Sequence, residues 1–167
     1  MKKSLVLSAA TAVLSMALFS STFAQSTATQ SVTLAVNTVY KIATSGNPGP
    51  LTITDATAGV DALTSVSDNS TTYSITQNFG NTVKITAHMD AVLAAGYTLE
   101  LNLASIKGTS AGVTDISNAT SGSAVDVVTT IQRGADAGQG IGYTFSATAT
   151  AGTLSSTTRT ITLTLTN

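Results

Sequence analysis

Polar and apolar residues alternate along much of this chain, and the alternation is sharpest in two places. Ser31-Val32-Thr33-Leu34-Ala35-Val36-Asn37 is one, and Arg159-Thr160-Ile161-Thr162-Leu163-Thr164-Leu165-Thr166-Asn167 is the other. A period of two that mixes β-branched with apolar residues is the signature of a half-buried strand, because successive side chains point to opposite faces. The same pattern predicts strands over Thr72–Thr76, with Tyr73 and Ile75 inward, over Thr82–Ala87, and over Tyr97–Leu103, with the leucines on one face and Thr98, Glu100 and Asn102 on the other. Shorter or more apolar segments add Val39–Ala43, Leu51–Thr54, Val113–Ile116 as a short edge strand, Val125–Ile131 as a central one, and Tyr143–Ala149.

Turn chemistry separates these segments. Gly46-Asn47-Pro48-Gly49-Pro50 is a loop signal. Asn78-Phe79-Gly80-Asn81 reads as a hairpin turn joining Thr72–Thr76 to Thr82–Ala87. Residues 55–68 read as a loop in which Val60, Leu63 and Val66 make one helical turn, His88–Gly96 as a short helical turn, and 107–112 as a loop. Gly134–Gly142, with four glycines, reads as a mobile loop, and Ala151–Ser156 as the turn of a hairpin pairing Tyr143–Ala149 with the last strand. Eight or nine short strands with no long amphipathic helix predict an all-β fold, an antiparallel two-sheet β-sandwich of immunoglobulin-like or pilin-like type. A β-solenoid is the other arrangement of many short strands, but the segments have no constant period.

The start of the chain changes the picture of where the protein works. Lys2 and Lys3 precede an apolar stretch from Leu5 to Phe19, and Thr22-Phe23-Ala24 places small residues where a signal peptidase cuts. Residues 1–24 are therefore expected to be a signal peptide, and residues 25–167 a single secreted domain without a membrane span. The net charge of −1 becomes about −3 when Lys2 and Lys3 are removed, with no basic patch, so nucleic acid is not an expected partner. There is no cysteine, which excludes disulfides, thiol catalysis and Cys-based metal sites.

Candidate chemistry is sparse. His88, the one histidine, lies near Asp90, but no G-x-S-x-G nucleophile motif accompanies it, so a surface turn residue is the better reading. Asp55, Asp61, Asp68 and Asn69 sit in or beside one loop, yet their spacing matches no Ca²⁺ motif. Glu100 with a lysine and an amide would suit an isopeptide cross-link, but the alternation turns Lys84 outward with Thr82 and Thr86. The segment Gly138-Gln139-Gly140-Ile141-Gly142 leads into a strand rather than a helix, unlike a phosphate loop. There is no Trp, and Tyr73, Tyr97, Tyr143 and Phe145 fall at inward positions, which counts against a stacking platform for sugars. The expectation is a protein that is not an enzyme, with no catalytic residue, no bound metal and no cofactor.

The run Ala151-Gly152-Thr153-Leu154-Ser155-Ser156-Thr157-Thr158-Arg159-Thr160-Ile161-Thr162-Leu163-Thr164-Leu165-Thr166 resembles the closing strand region of bacterial fimbrial and spore-coat-U-like subunits. Ala95-Gly96-Tyr97-Thr98-Leu99-Glu100-Leu101-Asn102-Leu103 is similar to a mid-domain strand in such proteins. The resemblance implies a structural subunit of a surface filament (pilus- or fimbria-like) or matrix fibre. Such subunits polymerise head to tail by β-augmentation, with an assembly chaperone as a further partner. The absence of cysteine and the ending Thr166-Asn167 in place of a terminal tyrosine depart from chaperone–usher subunits. For this chain the donor strand would be residues 25–37, with Val32, Leu34 and Val36 as its knobs. The other reading is a monomeric binding or adhesin module, in which Ser31–Asn37 pairs within its own chain.

Overall fold

The computed structural model describes residues 26–167, so the expected signal peptide and Gln25 lie outside the described residues. Among the described residues nine strands run in chain order: β1 (Tyr40–Thr44), β2 (Val66–Gln77), β3 (Val83–Met89), β4 (Tyr97–Leu103), β5 (Thr109–Ser110), β6 (Thr114–Asp115), β7 (Val125–Ile131), β8 (Gly134–Ala147) and β9 (Ile161–Thr166). They form a five-stranded sheet in the order β1-β2-β8-β4-β6 and a four-stranded sheet in the order β5-β7-β3-β9, with every pairing antiparallel. The expected two-sheet, all-β architecture is what the chain adopts.

Residues 36–167 form one unit, and the core lies between its sheets. Tyr73 and Ile75 of β2, Leu99, Leu101 and Leu103 of β4, and Ile141 and Tyr143 of β8 meet Val83, Ile85, Ala87 and Met89 of β3 and Val127, Val128 and Ile131 of β7. The alternation of β3 and β4 between buried and more exposed positions is strict enough to be read directly as inside and outside. Among the described residues Thr71 Oγ1 and Arg159 Nε are buried without a hydrogen-bond partner, but Tyr73 and Gln77 are tied down as burial requires. The Tyr73 hydroxyl donates to the Ala104 carbonyl at 2.6 Å, and Gln77 bridges the sheets, donating from Nε2 to the Ile131 carbonyl and accepting the Phe79 amide.

Several local expectations fail for identifiable reasons. The strands on either side of Asn78–Asn81 are not hairpin partners. β2 pairs with β1 and β8, and β3 pairs with β7 and β9, so the connection carries the chain from one sheet to the other. Their apolar faces meet across the core instead of their edges meeting in a ladder. The same holds for the expected closing hairpin, because β8 and β9 belong to different sheets and residues 148–160 cross between them, starting with a short 3-10 turn at Ala149–Ala151.

Gly134–Gly142 is not a loop but the first part of β8, paired with β2 on one side and, from Ile141, with β4 on the other. Two residues of β8, Ala137 and Gly138, lie opposite the single Ser74. Gly138 takes the left-handed backbone (φ +65°) that such a bulge needs, and its amide donates to Ser74 Oγ. At Gly142 a Cβ would lie 2.5 Å from Asn69 Oδ1, so the side chain of β2 occupies the space that glycine leaves. Leu51–Thr54 forms no strand, and the helical turns expected around Val60 and within His88–Gly96 are absent. Residues 56 and 63 close a small loop through an isolated bridge, and β3 extends through Met89.

Candidate strand-exchange site

The segment singled out in the sequence is not paired. Residues 26–39 carry no regular secondary structure, and Val32, Leu34 and Val36 are 74%, 87% and 87% exposed. Isolated exposed aliphatics are ordinary on a protein surface; here three stand at alternate positions of an uncharged run.

The C-terminal end of this segment is held firmly where it enters β1. The Asn78 amide nitrogen donates to the Val39 carbonyl at 3.2 Å, the Val39 amide donates to Asn78 Oδ1 at 2.7 Å, and Asn78 Nδ2 donates to the Asn37 carbonyl at 2.8 Å. Tyr40 pairs with Gln77, so these three bonds prolong the β1–β2 ladder beyond the last regular pair. They keep Asn37 and Val39 extended and in line with β1. Tyr40 and Phe79 pack on each other nearby, with ring centroids 5.7 Å apart.

On the same flank the outer strands of the two sheets lie side by side. β1 and β9 are the outer strands of the two sheets there, and β9 pairs with β3 alone. Ile161, Leu163 and Leu165 of β9 and Tyr40 and Ile42 of β1 pack against the core but stay half-buried. Sequence reasoning identifies β9 as a strand but misses its edge position, because alternation reports which face is buried and not which edge is paired. It also misses Asn78, whose role depends on a partner far from it in sequence.

The other candidates do not converge on chemistry. His88 lies on β3 opposite Thr162, on the outward side of the strand, beside an exposed Asp90. Asp55 accepts the Ala56 amide, Asp61 accepts from the Thr150 amide and hydroxyl, and Asp68 accepts from the Ser70 amide and hydroxyl and from the Gly49 amide. The Ser70 bonds, aided by Gly49, hold the exposed Asp68 carboxyl below its usual range. Asp55 and Asp68 thus bond within their own turns, Asp68 also reaching Gly49, while Asp61 ties its loop to Thr150. Among the described residues no group of three or more His, Asp or Glu side chains is placed to share a metal ion.

Glu100 lies on the five-stranded sheet, while Lys84 lies on the other and pairs with Asp126 at 2.9 Å. Glu100 borders a polar hollow of about 100 Å³ with Asn69, Asn102 and Thr144, and a more open one of about 620 Å³ is lined by Gly80, Asn81, Thr82, Gln132 and Arg133. Tyr73, Tyr97 and Tyr143 are buried, as their spacing predicts, and Phe145 is half-buried, stacked on Tyr97. Among the described residues no helix is long and apolar enough to cross a membrane.

A scan against protein-family models finds no match, and neither do searches of the curated proteins and of the solved structures.

Proposed function

We propose that this protein is an exported structural subunit of a surface filament or matrix fibre, assembled head to tail by exchange of its N-terminal strand. The observation that carries this reading is the exposure of Val32, Leu34 and Val36 in a chain whose sandwich keeps a half-buried apolar seam along one flank. Burying three such side chains would contribute roughly 5–8 kcal/mol before the costs of association and ordering. Main-chain hydrogen bonds would supply the ladder, and alternate side chains the specificity. A contact in which one patch of a subunit meets a different patch of the next does not close on itself, so it generates a fibre. The resemblance of 151–166 and 95–103 to fimbrial and spore-coat-U-like subunits supports the same reading.

The test is a comparison of the protein from residue 25 with a variant lacking 26–37. The full form is expected to run as multimers in sedimentation and on unheated detergent gels, and the truncated form as a folded monomer. A truncated form that still assembles would overturn the proposal, and so would a full form that stays monomeric, which is the outcome expected of a self-contained binding module.

A further inference from the structure

Two crossings between the sheets run side by side at one end of the sandwich. Residues 78–82 carry the chain from β2 to β3, and Gln132 and Arg133 carry it from β7 to β8. Gln77 pairs with Gly134 in one sheet and Val83 with Ile131 in the other, which brings the two crossings together. Between them lies the hollow of about 620 Å³, walled by Gly80, Asn81 and Thr82 from the first crossing and by Gln132 and Arg133 from the second.

Arg133 is positioned there but not neutralised. Its Nε donates to the Phe79 carbonyl at 3.3 Å, and a Cβ on Gly80 would lie 3.6 Å from its Nη2, so the guanidinium rests across the first crossing. Among the described residues no carboxylate forms an ion pair with it. Asp136, close by in sequence, is buried, and its Oδ2 accepts the Ile106 and Lys107 amides. Lys107 adds a second positive charge, its Cε and Nζ lying 3.4 and 3.7 Å from where a Cβ on Gly134 would stand. The neutral groups of the wall are largely uncommitted. Among the described residues the Asn81 and Thr82 side chains make no hydrogen bond, and Gln132 donates only from Nε2, to the Thr130 carbonyl.

We infer that this hollow binds a uronic acid, a sugar unit carrying one carboxylate, with the carboxylate on Arg133 and the hydroxyls on Asn81, Thr82 and Gln132. A guanidinium presents a planar fork that matches a carboxylate, and neighbouring amides and a hydroxyl suit a ring of hydroxyl groups. No aliphatic or aromatic side chain lines the hollow, so the ligand it fits is polar throughout and is not held by stacking. Its volume exceeds what a bare inorganic anion fills, and the single lining cation matches one negative charge per unit. The site belongs to the folded sandwich and does not depend on strand exchange.

The protein from residue 25 is titrated with galacturonate, glucuronate, galactose and inorganic sulfate, and amide NMR shifts are followed at residues 80–82 and 132–133. One or both uronates are expected to give saturable shifts centred on those residues, with galactose and sulfate weaker by roughly tenfold or more. Arg133→Gln is expected to weaken uronate binding by about tenfold. Arg133→Lys, which keeps the charge but not the fork, is expected to weaken it as well, and Asn81→Ala to weaken it by a few fold in a fold that keeps its other cross-peaks. Arg159 lies on the approach to β9, beyond the pair Ile161–Met89 at the opposite end of β3, and Arg159→Gln is expected to leave binding unchanged. Silence at residues 80–82 and 132–133 with both uronates overturns the proposal. So does sulfate or galactose binding as tightly as the uronates, full binding by Arg133→Lys, or an equal loss in Arg159→Gln, which would mean general charge attraction.

Discussion

Asn78 and Val39 exchange two hydrogen bonds, one through the backbone of Asn78 and one through its side chain, at 3.2 and 2.7 Å. An amide side chain here does what a backbone carbonyl would do in a regular ladder, and its nitrogen then reaches back to the Asn37 carbonyl. Asn78→Ala leaves the Val39 amide and the Asn37 carbonyl without these partners. It is expected to cost about 1–2 kcal/mol in denaturant unfolding and to raise hydrogen exchange at the Val39 amide. Under the proposed strand exchange the same change is expected to weaken assembly, because residues 31–37 lose their fixed direction. Unchanged exchange at Val39 would show that the clamp is not formed in solution.

Gln77 joins the two sheets from inside the core. It is 1% exposed, and its amide satisfies both the Ile131 carbonyl and the Phe79 amide. Gln77→Ala leaves both groups unpaired and a void beside them, and is expected to destabilise the domain by about 2–4 kcal/mol, read as a lower denaturation midpoint with an unchanged slope.

Thr130 is the one non-glycine residue with a left-handed backbone, φ +53°, among the described residues. It sits in β7 where Thr129 and Thr130 together oppose Lys84 alone, so the strand bulges there. A β-branched residue is poorly suited to that region, at a cost of about 1–2 kcal/mol. Thr130→Gly removes the conflict but adds backbone freedom to the unfolded chain, so a net gain of about 0.5–1 kcal/mol is expected. A loss of stability would mean that the hydroxyl contact between Thr130 and Thr109 is worth more than the strain.

Two of the four tyrosines should resist alkali. Burial raises the pKa of Tyr73, assisted by the nearby Asp136 carboxylate and opposed by Ser105, and burial alone raises that of Tyr143. A raised folded-state pKa for a group neutral when protonated means its contribution is fully present below the unfolded value near 10. That contribution is lost as pH rises through the folded value. Absorbance titration of phenolate formation is expected to show these two rings ionising late or only on unfolding. Four tyrosines titrating together below unfolding would contradict their burial.

Much of the fold is legible in the sequence because alternation reports burial directly. Tyr73, Ile75, Leu99, Leu101 and Leu103 all lie inward as the pattern requires. Pairing is less legible. Neighbouring segments such as Thr72–Thr76 and Thr82–Ala87 read as one hairpin, but two alternating strands joined by a short turn can meet edge to edge or face to face, and the local pattern is the same in both cases. Gly134–Gly142 misleads for a related reason. Its glycines serve a bulge opposite Ser74 and the close approach of Asn69, and both partners lie more than sixty residues away. Val32, Leu34 and Val36 stand out as an alternating run, but the edge character of β9 is a property of the whole sheet order and has no local signature.

The central claim is that Val32, Leu34 and Val36 are buried in a neighbouring copy. Electron microscopy of the purified protein from residue 25 tests it most directly, set beside a variant with all three residues changed to Ser. Fibres from the first and folded, dispersed monomers from the second are the predicted result. Fibres from both, or from neither, would contradict the account.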